Sequence, residues 1–531
     1  MQSEGVVGII KRGLLLSTLM LSASALFVRT IGFGFRVYLS NQMGAEGMGL
    51  FSLIMSVYTL SVTVATSGIS AAVAKIAAEH LAVGKKARAR QVLRKALCLS
   101  LLISSLVGVA LFVFADSIAL NILRDIRAEQ SLRLLAPGLP FLSVCACFRG
   151  YFIACRRVTI PATAQILEQL FKIGFVFVFL SGALSRGIEH AAAMVVLGVT
   201  LSEAACFIYT YAGYLLDKRK RRREEAGDKN GVLREILAFA LPISIGSYFR
   251  SGMRLIEDLL IVSGLTRFGG DQSEATGHYG VLRGMVMPLL IFPLNLLSAF
   301  VITLTPEVSR LHAGSERRKL SVIITRILQL TSIIGIFMVC LMMSFAYEIG
   351  AVVYREPQVG EMLRMMAILA PFMCLELVVV GILQGMGQQT HSAAYSICDC
   401  TLRVGLAWLL IPRYGVWGFV IMVAVSNLFT STLNLARLLK ITEVRLRIND
   451  WVIKPALAAL AASQGVRALF TQTSLGQLPT WAVLAVGLAA MGAVYLAVLF
   501  SLGCLTGKDV AWAVKHFKPK PSHMSPVSQK G

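Results

Sequence analysis

Leu135-Ala136-Pro137 opens an apolar stretch that runs to Gly150, turns, and enters a second apolar stretch carrying Glu168 and Lys172. Far downstream the order returns: Leu369-Ala370-Pro371 leads to Gly385, a short polar turn follows, and the next stretch carries Asp399 and Arg403. The Leu-Ala-Pro signatures lie 234 positions apart and the acid–base pairs 231, so the second turn is shorter by three residues. In both copies an acid precedes a base by four residues, which on a helix sets them one turn apart on one face. A charge facing lipid at mid-membrane costs roughly 2.5–3.5 kcal/mol, so such pairs should face a neighbouring helix or a water-filled cavity. Two related halves around a shared polar interior is the plan of a secondary transporter.

Composition supports the membrane setting. The 531 residues are 56% hydrophobic and 15% charged, with mean hydropathy +0.72, against roughly 45–50% apolar and about 25% charged in soluble domains. Apolar runs near the ~20 residues that span a bilayer recur throughout. The expectation is an all-α polytopic membrane protein of about fourteen spans. They fall near residues 13–35, 50–74, 96–115, 133–154, 160–181, 191–215, 235–263, 279–304, 322–346, 365–386, 392–412, 415–438, 452–470 and 480–504. Lys11 and Arg12 precede the first span, which lacks a small-residue cleavage site and reads as a retained helix rather than a signal peptide. Residues 1–216 form a first lobe of six spans, 217–234 a basic linker and 235–445 a second lobe of six. Residues 446–506 add two further spans, and 507–531 form a tail rich in Pro, Ser and Lys.

Alternate loops hold the bases: Lys75 to Lys95, Arg156 and Arg157, Lys218 to Arg234, Arg310 to Arg326, Arg437 to Lys454, and the tail after Lys508. The count is roughly 34 bases on one side against about 10 on the other, which places both termini in the cytoplasm. Topology and anionic headgroups thus account for the net charge of +23, and nucleic acid is set aside as a partner. The ten Cys lie mostly in apolar runs without a disulfide framework. Cys145/Cys147 and Cys398/Cys400 are ordinary helix-packing residues on this reading, and neither metal nor cofactor is expected.

The intramembrane charges carry the functional signal. Arg29-Thr30-Ile31-Gly32-Phe33-Gly34-Phe35-Arg36 sets two arginines on one face of the first span, with glycines between them. The seventh span stacks Arg250, Arg254 and Asp258 along one face, beside Glu257. Arg149 and Arg283 add bases to the fourth and eighth spans, the latter just before Pro288 and Pro293, which are expected to interrupt the helix. Arg36, Arg149 and Arg283 have snorkelling to an interface as their alternative role. Glu168–Lys172 and Asp399–Arg403 have purely structural ion pairing as theirs, and gating as the functional one. Guanidinium groups recognise phosphate and carboxylate bidentately, so Arg29, Arg36, Arg250, Arg254 and Arg283 suit an anionic headgroup. A cavity for lipophilic cations would be lined instead by acids and aromatics.

The segment Arg29–Glu79 resembles a known family. It holds Arg-x-x-Gly-Phe, then Met43-Gly44-Ala45-Glu46-Gly47-Met48-Gly49-Leu50-Phe51, then Ser67-Gly68-Ile69 with Lys75 and Glu79. Pro161-Ala162-Thr163-Ala164 before Glu168 and Lys172 fits the same pattern. The chain is identified over nearly its whole length as a member of the bacterial polysaccharide/oligosaccharide exporters of the multidrug/oligosaccharidyl-lipid/polysaccharide superfamily, with the stage V sporulation protein B-like branch the nearest group. The resemblance implies a V-shaped carrier of two pseudo-symmetric six-helix lobes plus two helices, alternating between inward- and outward-facing states. It implies a lipid-linked anionic substrate, with membrane lipids and cell-wall synthesis enzymes as partners. The lipid II flippases of that superfamily place diphosphate-binding arginines in the first lobe. Arg29 fits the first of their span-one pair, while Arg36 departs, being seven residues on instead of six. A multidrug or cation antiporter of the same fold is the alternative, and would need Glu257 or Asp258 as an ion site. A membrane enzyme is disfavoured by short outer loops without clustered carboxylates or histidines.

Overall fold

The computed structural model describes residues 2–219, 231–314, 316–442, 444, 447–472 and 479–505. Most of the basic linker (220–230) and the tail (507–531) lie outside the described residues. All regular structure among the described residues is helical. This is what a bilayer demands of backbone groups that cannot reach water.

The first half of the chain contains α1 (Gln2–Thr66), α2 (Ile69–Ala82), α3 (Lys86–Val113), α4 (Gly138–Ala154), α5 (Thr159–Leu184) and α6 (Ile188–Arg219). The second contains α7 (Val232–Gly269), α8 (Gln272–Tyr279), α9 (Met287–Ala313), α10 (Arg317–Ser344), α11 (Ala370–Gly385), α12 (Gln389–Tyr414) and α13 (Val416–Thr442). Two more, α14 (Lys454–Gln472) and α15 (Thr480–Ser501), pack on each other and α14 lies against α10. Among the described residues eleven helices are long and apolar enough to cross a membrane, or twelve if one bent pair counts as a span. The fourteen of the sequence reading divides α1 at Gly44, its one non-helical residue, and adds α14, which is not among the eleven. Leu102 and Leu106 on α3 each leave 70% of their surface uncovered, a face suited to acyl chains and unsuited to water.

The repeat seen in the sequence is a repeat of structure. Leu135-Ala136-Pro137 marks the 45° bend of a broken span, Ile126–Leu135 plus Gly138–Ala154. In the second copy Pro357–Met366 is followed by a tight turn at Ala367–Leu369 and then α11, with Pro371 in its first turn. Proline has no N–H to give and suits a helix start. The likeness extends upstream, because each of these two spans follows a π-helical segment, Ile118–Leu123 or Gly350–Tyr354. Pro288 and Pro293 do not break the eighth span as expected. The chain stays helical from Gln272 to Ala313, with a π-helical stretch at Gly280–Val286 immediately before Pro288.

The two halves meet at both ends. Near the basic loops, Ser244 donates to the Ser67 carbonyl (2.8 Å), Tyr248 to that of Val64 (3.2 Å), and Glu235 faces Arg88 and His80. A Cβ on Gly68 would stand 2.4 Å from the Ala240 carbonyl oxygen. At the opposite end Ser273 donates to Glu46, and Asn41 to the Val353 carbonyl. There a Cβ on Gly280 would stand 1.9 Å from the Ala45 carbonyl oxygen, so the backbones touch only because no side chain intervenes.

Candidate functional site

Between these two contacts lies a cavity of about 670 Å³, walled by α1, α5 and α6 on one side and by the Gly280–Val286 segment and α9 on the other. Arg29 lines it, donating from Nη1 to Ser298 Oγ (2.9 Å) and, more weakly, to Asn295 Oδ1 (3.4 Å), both on α9. Beside it Phe33 stacks on Phe292 with centroids 4.6 Å apart. Arg36, Glu168, Lys172 and Arg283 also line the cavity. Glu168 and Lys172 share a face as expected, yet neither is the other's ion-pair or hydrogen-bond partner among the described residues. Lys172 lies over the Phe35 ring instead, 5.9 Å from its centroid.

The second acid–base pair is likewise separated. Arg403 reaches across to α7 and grips Glu257 with both edges of its fork, Nε to Oε2 at 3.0 Å and Nη2 to Oε1 at 2.6 Å. Asp399 accepts from Ser426 Oγ at 2.6 Å, and Arg403 donates to the same hydroxyl at 3.3 Å. Arg283 donates to Glu257 Oε1 (2.8 Å), and its Nη2 stands 2.9 Å from Asp258 Oδ1 without hydrogen-bond alignment. Both acids are 5% exposed. Two guanidinium groups thus offset two buried carboxylates, and the fork geometry across helices prevails over the one-turn spacing within α12.

Arg250 and Arg254 do not line the cavity. Arg254 is exposed, and among the described residues Arg250 hydrogen-bonds only to Ser247 Oγ, at 3.4 Å. Glu257 and Asp258 lie on the same α7 face one to two turns further along and are buried, so neighbouring helices cover only that part of the charged face and the arginine stack expected in the cavity is not brought there. Arg149 is exposed on α4. One site residue was missed by reasoning from sequence: Glu203 on α6, 3% exposed, which accepts a hydrogen bond from Tyr58 on α1 and lines the cavity. Gly138 makes room for it, since a Cβ there would stand 2.4 Å from Glu203 Oε2. An acid in mid-span without a base one turn away was the available signal.

The fold and the charged cavity define a polytopic helical carrier with its polar groups enclosed between two repeated halves. The family model described as "Polysaccharide biosynthesis protein" matches residues 14–312, and the MatE model matches residues 272–409. The chain belongs to the polysaccharide biosynthesis protein family. It is 25% identical to stage V sporulation protein B of Bacillus subtilis (strain 168), over 85% of this chain and 88% of that one. It is 21% identical to the lipid II flippase MurJ of the same organism, over 93% and 96%. A solved lipid II flippase MurJ in an inward closed conformation superposes with a TM-score of 0.69, covering 90% of this chain and 98% of the other at 13% identity. The resemblance in the sequence is borne out for both family and fold.

Proposed function

We propose that the protein flips a lipid-linked, undecaprenyl-diphosphate oligosaccharide or peptidoglycan precursor across the bacterial cytoplasmic membrane by alternating access, in cell-wall, spore-cortex or polysaccharide synthesis. The observation that carries this reading is the cavity itself: Arg29, Arg36 and Lys172 on one wall and Arg283 on the other, between halves that touch at both ends. Arg283 is committed to Glu257 and Asp258, which leaves Arg29, Arg36 and Lys172 to capture a diphosphate. The lipid tail stays in the bilayer while the headgroup occupies the cavity, and headgroup charge favours closure around it. Both termini lie in the cytoplasm, the chain divides into lobes at 1–216 and 235–445, and cell-wall synthesis enzymes supply the substrate.

A cation antiporter is the second reading, favoured by the MatE match over residues 272–409. Of the acids it would use, Glu257 is already held by Arg283 and Arg403, and Asp258 faces Arg283. The discriminating measurement is binding of an undecaprenyl-diphosphate-linked peptidoglycan precursor and of lipophilic cations to purified protein, wild type beside Arg29→Ala. Arg29 is exposed and its loss should leave the fold intact, while precursor affinity falls about tenfold or more, as expected for a charge-assisted contact to phosphate. Cation binding without precursor binding would establish the antiporter reading instead.

A further inference from the structure

A second hollow, of about 420 Å³, lies between the halves at the end away from the basic loops. One wall is Leu53 of α1 and the turn ending at Arg124; the other is the last turns of α7, including Ile256, Leu259, Leu260 and Arg267. The trough is mainly apolar, with Asn121, Ser263, Thr266 and Gln272 among its lining, and it carries two exposed guanidinium groups. Among the described residues neither Arg124 nor Arg267 has a hydrogen-bond or ion-pair partner. The neighbouring Arg127 differs, being spent on Asp125 (2.8 Å) and Glu46 (2.7 Å).

Arg124 also has an unusual backbone. Its φ is +57°, in the left-handed region that non-glycine residues seldom enter, immediately after the π-helical Ile118–Leu123. Arg355 lies 231 positions on, at φ +55°, immediately after the π-helical Gly350–Tyr354. Both copies of the repeat therefore hold an arginine where glycine would sit without strain. By contrast, the left-handed Arg156 after α4 is matched by Gly387 after α11, so the repeat does not keep arginine at every such turn. Strain kept at a ligand-facing position points to a use for the side chain.

We propose that this groove binds an anionic phospholipid of the bilayer, its phosphate held by Arg124 and Arg267 and one acyl chain lying along Ile256, Leu259 and Leu260. Charge complementarity selects the occupant: an apolar trough alone would take any acyl chain, whereas two unpaired guanidinium groups at its rim select a phosphate that lacks a compensating amine. The site is separate from the central cavity. Only the leaflet depends on the orientation proposed above, which makes it the outer one.

The test uses the full chain in phosphatidylcholine vesicles containing phosphatidylglycerol with a photoreactive acyl chain, with labelled peptides mapped by mass spectrometry. Labelling is expected in the peptide spanning Ile256–Arg267. It should fall about fivefold or more in the Arg124→Gln/Arg267→Gln double variant, and stay unchanged in Arg413→Gln, which removes a base in the last turn of α12 that does not line the groove. Arg124→Gly separates ligand loss from misfolding: it relieves the backbone, so the thermal midpoint should hold or rise while labelling drops. Equal labelling by a photoreactive phosphatidylcholine, or undiminished labelling in both arginine variants, overturns the proposal. So does complete competition by soluble glycerol phosphate, which would make the groove a phosphate site instead of a lipid site. Precursor translocation is a separate readout, so this result and the flippase reading can fail independently.

Discussion

Glu257 is the residue on which the most charge converges. Arg403 and Arg283 both donate to its Oε1, and Arg403 closes the fork on Oε2. A buried carboxylate deprived of one such partner is left partly uncompensated, and breaking a buried pair destabilises by about 3–5 kcal/mol. Arg403→Gln should therefore lower stability by about 3 kcal/mol, the low end because Arg283 remains. Thermal unfolding in detergent would show this, and Glu257→Gln/Arg403→Gln should recover part of the loss, since no orphaned charge then stays behind. Independent, additive effects of the two substitutions would contradict the pairing. At this scale the sequence identified the charged residues but not their partners. Asp399 and Arg403 are one turn apart on α12, yet each bonds to another helix. Spacing gives only which side chains can meet within a helix, and a neighbouring helix offering a better-aligned fork displaces that choice. Glu203 and Tyr58 are joined across 145 positions, a contact no local pattern encodes.

Among the elements, the closures at the two ends make the sharpest prediction. Gly280 touches the Ala45 carbonyl and Gly49 touches that of Thr276, so any side chain there must push the halves apart. Gly280→Val should open this end while leaving the Ser244–Ser67 and Tyr248–Val64 contacts at the other. In a background lacking the ten cysteines, Thr276→Cys should become reactive to a membrane-impermeant maleimide only when Gly280→Val is also present. Unchanged protection would mean that this close approach does not seal the end. The elements themselves were largely legible. Leu-Ala-Pro marked the entry to an apolar span in both copies, and the structure bends the chain by 45° there in the first and carries it through a tight turn in the second, since proline suits a helix start. The depth at which α7 is covered was not legible. Arg250, Arg254 and Asp258 share one face with Glu257 beside them, yet only the turn carrying the two acids is buried, and spacing within a span does not say which of its turns the neighbouring helices cover. Pro288 misled for a related reason, the π-helical segment before it keeping the span helical.

For the molecule as a whole, the proposed orientation and the membrane potential would together set the direction of work. With the basic loops inside, as proposed, an exported anion would gain about 2.3 kcal/mol per charge per 100 mV of inside-negative potential. Collapsing the potential across vesicles should therefore slow outward movement of a diphosphate-linked lipid, while a rate that ignores the potential would require another driving force. Single cysteines at Arg88 and Asp271 should label from opposite sides of the membrane, and labelling from one side would refute the proposed topology.

Length, apolar runs and the loop charges determined by themselves that this is a polytopic helical membrane protein, because the bilayer admits few solutions to backbone hydrogen bonding. The repeated Leu-Ala-Pro and acid–base signatures likewise determined that it is built from two related halves, and the motifs between Arg29 and Glu79 determined its family. Tertiary structure alone decided which charges work together: Arg29 with α9, Glu203 with Tyr58, and Glu257 with Arg283 and Arg403. Those choices depend on the rotation and depth of each helix against its neighbours, which close packing fixes and an apolar sequence leaves open.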